Sequence, residues 1–158
     1  MRRFAVALLA VSMFGVPAVA LAGPPVVQIS AMLGTREKRG LDPRLHDFKA
    51  DLRGLPFKGF RLLGVHSCRL QSGDQCGMEL PGNSYLYLST SQSTDRFMKM
   101  HLLLNRDNRP MFNADLTLNH GAVVIIRGPR FGEGAIVIGL RAVGSPAEDS
   151  GSPGRRAR

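Results

Sequence analysis

Short stretches of alternating apolar and polar residues follow one another from Pro56 to Val143, and they constrain the fold more than any other feature. The clearest is 111–118, where every second residue from Phe112 to Leu118 is apolar. A period of two places such side chains on one face of a strand. Turn-forming residues separate the stretches at 81–83, 105–108, 119–121 and 128–134. About seven or eight short strands at this spacing predict a mainly β protein, an antiparallel β-sandwich or a partly open barrel.

The apolar pattern also predicts where the strands lie. A bulge is expected near Gly64, because the alternation slips from Phe60 and Leu62 to Leu63 and Val65. The glycine-rich stretch 128–134 is expected to be a hairpin loop. The expected strands are 26–33, 60–70, 77–80, 84–90, 97–104, 111–118, 122–127 and 135–143.

One N-terminal helix interrupts the strand pattern. Asp42 is a suitable N-cap, and Pro43 stands at the first helical position, where a missing N–H costs nothing. Gly54 and Pro56 should end the helix. An apolar stripe at helical spacing predicts packing across a sheet; its members are Leu45, Phe48, Leu52 and Leu55.

The first 22 residues have the pattern of a secretory signal peptide. Arg2 and Arg3 precede the apolar run 4–22, which ends on the small residue Ala22. A retained membrane anchor is the alternative, but Pro17 and the small residues at the exit favour cleavage. We therefore expect a periplasmic or extracellular protein with no transmembrane span after cleavage.

The remaining chain divides into a β-sandwich domain, 23–143, and a tail, 144–158, which lacks large apolar residues and is expected to be disordered. The formal net charge is +9. Arg2 and Arg3 carry two of these charges and the tail a net one, so the domain carries about +6. A basic domain allows contact with polyanions, but such a charge more often serves solubility alone.

Cys68 and Cys76 are the two cysteines of the chain. In an exported protein such a pair favours a disulfide. The turn-forming residues between them predict that they lie on facing arms of one hairpin, so that the bond would fix a hairpin tip. A nucleophilic pair of His66 and Cys68 is a weaker alternative.

No catalytic or metal-binding motif is found, and no cofactor is expected. His46, His66, His101 and His120 show no metal-ligand spacing, and neither a Gly-x-Ser-x-Gly motif nor a phosphate-binding loop is present. An enzyme would need a pocket assembled by the fold from at least two of a small set of residues. This set is Glu79, Asp115, His66 and His101.

Two groups of residues are candidates for ligand binding. Arg127, Arg130 and Phe131 combine arginine with an aromatic ring among glycines, a composition found at binding hot spots. Phe131 could instead fold back and close the end of the sandwich. Tyr85 and Tyr87 lie on one strand face, where they could stack on sugars or bases, or could cover the sheet beneath the helix.

Five segments made of turns and core strands can be compared with known proteins; they are 41–45, 55–63, 79–83, 128–130 and 134–138. Together they resemble a group of small, uncharacterised periplasmic β-sandwich proteins of proteobacteria, including myxobacteria. The resemblance covers most of 26–143 and implies a fold and no catalytic residue. A cysteine pair is not part of the group's pattern and would be an addition in this chain.

The sequence favours a non-catalytic, exported binding or assembly module of a bacterial cell-envelope protein complex, such as a motility or secretion apparatus. An envelope protein complex is then its expected partner. The alternative is a cationic cell-surface protein that binds a polyanion or a glycan through the two candidate groups.

Overall fold

The computed structural model describes residues 24–37 and 39–143, which form two packed β-sheets and one short helical segment. The predicted signal peptide, 1–22, and the predicted tail, 144–158, lie outside these residues. The strands are β1 Val26–Thr35, β2 Gly40–Leu41, β3 Gly59–Arg69, β4 Gln75–Leu80, β5 Ser84–Ser93, β6 Phe97–Arg106, β7 Arg109–Asn119, β8 Val123–Phe131 and β9 Gly134–Val143. The helical segment comprises a 3-10 helix, Pro43–Phe48, and a single α-helical turn, α1 Lys49–Leu52. The predicted β-sandwich with one helix is confirmed.

The nine strands divide into two sheets. Sheet A has the order β2-β3-β1-β9-β8, and sheet B has the order β4-β5-β6-β7. The chain passes from sheet A to sheet B between β3 and β4 and returns between β7 and β8. The paired strands are antiparallel except β2, which pairs in parallel with β3. Strand β2 was not predicted, because two residues beside a charged loop leave no alternating pattern.

The central strands of sheet A, β1 and β9, are covered on both faces. The inner face of the sheet packs on sheet B through a core that includes Ile29, Ile138 and Leu102. On its outer face, Met32 and Val137 pack against the helical segment. Successive residues of β1 and β9 are therefore buried, whereas sheet B is buried only on the face toward sheet A.

The helical segment begins at Asp42 as predicted, although most of it is 3-10 rather than α-helix. The Asp42 carboxylate accepts hydrogen bonds from the Arg44 backbone N–H at 3.1 Å and from the Arg44 guanidinium at 2.8 Å. The hydrogen bonds from Arg44 hold the pKa of Asp42 well below its ordinary value. The Leu62 N–H also donates to this carboxylate, at 3.3 Å, so one side chain joins the helix start to β3.

Two departures from regular pairing shape sheet A. The predicted bulge is confirmed in β3, where Leu62 pairs with Met32 and Gly64 with Ala31. The predicted loop 128–134 is wrong, because β8 continues to Phe131 and the connection to β9 is only 132–133. A second bulge, at 128–129 in β8, accounts for this glycine and proline inside a strand.

The disulfide between Cys68 and Cys76 is confirmed, with the two Cα atoms 6.2 Å apart. The predicted hairpin around it is wrong, because β3 pairs with β1 and β4 pairs with β5. The bond therefore joins sheet A to sheet B at the place where the chain passes between them.

Candidate ligand-binding surfaces

The five candidate binding residues lie in three separate places. Tyr85 and Tyr87 are on the outer face of sheet B, and Arg127 and Arg130 are on the outer face of sheet A. Phe131 points between the sheets, where its partly buried side chain packs against the main core. A single site that uses all five residues is therefore not formed.

The tyrosine pair follows from the alternation along β5. Leu86 and Leu88 are fully buried between the sheets, so their neighbours Tyr85 and Tyr87 are directed outward. The two rings contact each other in a tilted arrangement, with centroids 4.3 Å apart and an interplanar angle of 42°. Tyr87 remains 47% exposed. Because the helical segment covers sheet A, the alternative that the tyrosines lie beneath it is wrong.

Tyr85 is seated by a glycine on the neighbouring strand. Gly77 on β4 pairs with Tyr87, and the Tyr85 ring lies over Gly77. A Cβ atom added to Gly77 would be 2.5 Å from Tyr85 Cε1. This close approach is possible only because glycine has no side chain, so Gly77 fixes the position of the pair.

Two shallow grooves flank the tyrosine pair and share both rings as a wall. They have volumes of about 430 and 390 Å³. One groove extends along Gln75, Ser89 and His101, and the other along Glu79, Asn83, Ser84, Asn105 and Asn108. Hydroxyl and amide groups, together with the Glu79 carboxylate and the His101 ring, thus surround the two tyrosines, and no lysine or arginine is among the described residues that line either groove.

A histidine–carboxylate pair stands at the edge of the first groove. His101 Nδ1 lies 2.8 Å from Asp115 Oδ1, and the Asp115 side chain is 90% exposed. Of the four residues considered for an enzyme, these two are brought together, on an open face rather than in a deep pocket. Glu79 is on β4, at the opposite edge of sheet B from Asp115 on β7. His66 is on β3 in sheet A.

His66 lies near the disulfide, with its ring and the sulfurs of Cys68 and Cys76 all within 4.8 Å of one another. The sulfurs are bonded to each other, so neither is a thiolate that could ligate a metal or act as a nucleophile. The predicted disulfide thus explains both cysteines.

Phe131 takes the position expected if it closes the sandwich. Its ring contacts Gly82 in the turn between β4 and β5, with Phe131 Cδ2 3.1 Å from the position a Cβ of Gly82 would take. The Arg106 guanidinium donates to the Arg130 carbonyl oxygen at 3.3 Å beside it.

A further cavity, of about 590 Å³, lies next to Phe131 at the same end of sheet A. Leu33, Phe60 and Phe131 contribute apolar surface, and Arg61 and Asp42 contribute charge. Sequence reasoning missed it, because it is assembled from β1, β2, β3 and the β8–β9 turn, with no local pattern to reveal it.

Comparison of the chain with protein-family models, curated proteins and solved structures gave no match. In the described part of the chain, no helix is long and apolar enough to span a membrane.

Proposed function

We propose that this protein is a non-catalytic, exported binding module of the bacterial cell envelope that holds a neutral glycan chain across the open face of sheet B. The observation that carries this proposal is the pair Tyr85–Tyr87, whose rings contact each other between two polar grooves on the outer face of sheet B.

The paired tyrosine rings offer an apolar surface that complements the C–H face of a pyranose ring, with a hydroxyl at the rim. Amide and hydroxyl groups on both sides can exchange hydrogen bonds with sugar hydroxyls. The two grooves lie on either side of the tyrosines, an arrangement that suits a chain of several sugar units. Because no lysine or arginine lines them in the described structure, a neutral glycan fits this face better than a polyanion.

Export is supported by the N-terminal sequence pattern and by the disulfide, since structural disulfides persist mainly in oxidising compartments. The resemblance to periplasmic β-sandwich proteins agrees with this setting. Sheet A also packs against the other face of sheet B, and a binding face supported in this way needs little ordering when the ligand arrives.

The test is isothermal titration of the domain with chitotetraose, cellotetraose and maltotetraose. Binding of at least one sugar is expected to weaken about tenfold or more in Tyr87→Ala, which is a loss of about 1.4 kcal/mol. Met111→Ala removes a comparably exposed apolar side chain outside the grooves and should bind like the parent protein. Failure of the parent protein to bind any of the sugars, or equal binding by Tyr87→Ala, would contradict the proposal.

A second candidate function is assembly with an envelope protein through strand β7. This strand is an edge of sheet B, and Met111 and Phe112 near its start are 53% and 42% exposed. An uncovered edge with apolar side chains favours pairing with an extended segment of another protein.

The assembly function predicts co-purification that resists high salt and is lost in the double variant Met111→Ser/Phe112→Ser. Tyr87→Ser is the matched control on the same sheet and should retain the partner. Retention by the β7 variant would exclude this edge, and a partner lost at high salt would indicate a charged contact instead.

A further inference from the structure

We propose that Arg36, Arg127 and Arg130 form a binding site for a phosphate group on the outer face of sheet A. This site lies on the opposite side of the sandwich from the tyrosine grooves, so it does not depend on the proposed glycan binding. Its ligand class is a phosphomonoester or phosphodiester, either as a soluble ion or as a lipid headgroup.

The bulge in β8 creates the site. Residues three apart on a regular strand point to opposite faces. Arg127 pairs with Val137 and Arg130 with Ala135, two positions apart on β9, so both arginines lie on the same face. If the same residues formed a regular strand without the bulge at 128–129, one of these arginines would point into the core.

Arg36 and the ring of Phe57 complete the cavity. Arg36 follows β1 and lines the same cavity, which has a volume of about 280 Å³. Phe57 forms one wall, and the Arg127 guanidinium lies over its ring, with Arg127 Cζ 5.6 Å from the ring centroid. Stacking on Phe57 orients this guanidinium while leaving its N–H groups free to donate to a ligand.

The positive charge of the cavity is not neutralised within the described structure. None of the three guanidinium groups has a carboxylate within 4.0 Å or donates a hydrogen bond to another described residue. Glu133 also lines the cavity, so three cations face one carboxylate. By contrast, the neighbouring Arg141 is paired with Asp47 at 3.1 Å.

The chemistry of the site suits a phosphate group. Guanidinium groups donate pairs of parallel hydrogen bonds that match two oxygens of a phosphate, and three of them can surround its tetrahedral oxygens. A nucleobase would need a free aromatic face, but Arg127 already covers the face of Phe57. The cavity therefore suits the charged group rather than a stacked base.

The experiment titrates the domain with inorganic phosphate and pyrophosphate at constant ionic strength and follows amide NMR shifts. Shifts should cluster around Arg127, Arg130 and the β8–β9 turn. Binding is expected to weaken about tenfold in Arg130→Gln and in Arg127→Gln. Arg109→Gln, which removes the same charge from β7 in sheet B, should bind like the parent protein. Equal weakening in all three variants would show a net-charge effect and overturn the proposal.

A second arm distinguishes the sources of the phosphate group. Vesicles of phosphatidylcholine with and without phosphatidylglycerol are tested for co-sedimentation with the parent protein and the same variants. Binding only to the anionic vesicles, lost in Arg130→Gln, assigns the site to a headgroup. Binding of soluble phosphate without vesicle binding assigns it to a soluble phosphate. If the parent protein binds neither soluble phosphate nor vesicles, the proposal is overturned. Tyr87→Ala should bind phosphate and vesicles as the parent protein does.

Discussion

The two sheets of this sandwich differ in how many faces they bury, and the difference can be seen in the sequence. Strands β1 and β9 of sheet A are apolar at successive positions, because sheet B covers one face and the helical segment covers the other. In strands β5 and β6 of sheet B, buried residues alternate with more exposed ones. Large side chains on the uncovered face, such as Tyr85 and Tyr87, are therefore not required by the main core, and this makes them candidates for function.

The largest expected effect is on the free energy of unfolding, when two neighbouring residues of one strand are substituted in each sheet. Val137 and Ile138 are both fully buried, on opposite faces of β9, so each change to Ala should lower the free energy of unfolding by about 1.5–4 kcal/mol. In β6, Leu102→Ala should cost about 2–5 kcal/mol and Leu103→Ala about 1 kcal/mol or less. Urea denaturation measures all four. Equal losses for Leu102→Ala and Leu103→Ala would show that the outer face of sheet B is covered.

The disulfide should matter because it joins the sheets. The double variant Cys68→Ala/Cys76→Ala should lose about 2–3 kcal/mol of stability in the chain-entropy model. Denaturation of the parent protein with a reductant should give the same loss, and the reductant should not change the variant. If the variant loses stability and the reduced parent protein does not, the loss comes from the packing of the cysteine side chains rather than from the bond.

The same substitution on the two outer faces should give different outcomes. A Cβ on Gly139 would lie 2.8 Å from the Phe48 ring, under the helical segment, so Gly139→Ala should cost about 1–3 kcal/mol. Gly77→Ala meets only Tyr85, which can turn into solvent, so its stability should change by about 0.5 kcal/mol or less while sugar binding falls. Gly54→Ala, where nothing lies within 4 Å, is the control for both measurements.

The smallest expected effect is on stability at acidic pH. Because the folded-state pKa of Asp42 is depressed, its stabilising effect is fully present above the unfolded pKa and is lost as the pH falls below about 4. Thermal denaturation as a function of pH should show a shallower decline below this value in Asp42→Asn than in the parent protein. Parallel curves for the two proteins would remove Asp42 as a determinant of acid stability.

The sequence predicts local features of this fold better than long-range ones. The alternation in β5 predicts that Tyr85 and Tyr87 share one face, and the slip near Gly64 predicts the bulge, because a period of two is a property of neighbouring residues. The sheet that each strand joins depends on distant contacts, so the placement of Cys68 and Cys76 in different sheets could not be predicted.

The candidate sites also depend on long-range contacts, which the sequence does not predict. Arg127 and Arg130 were predicted as binding residues, but they share one face only because of the bulge at 128–129. The sequence feature that could have indicated this bulge is a glycine followed by a proline inside an apolar strand. Arg36 comes from a distant loop, and His101 and Asp115 from two different strands, so no spacing in the sequence brings either group together.

The most direct measurement maps glycan binding by amide NMR on the labelled domain, titrated with the sugar that binds best. We expect shift changes confined to β4, β5 and β6 around Tyr85, Tyr87 and His101, with sheet A unaffected. Shift changes that cluster on sheet A, or that remain in Tyr87→Ala, would contradict the account that the uncovered face of sheet B is the binding surface.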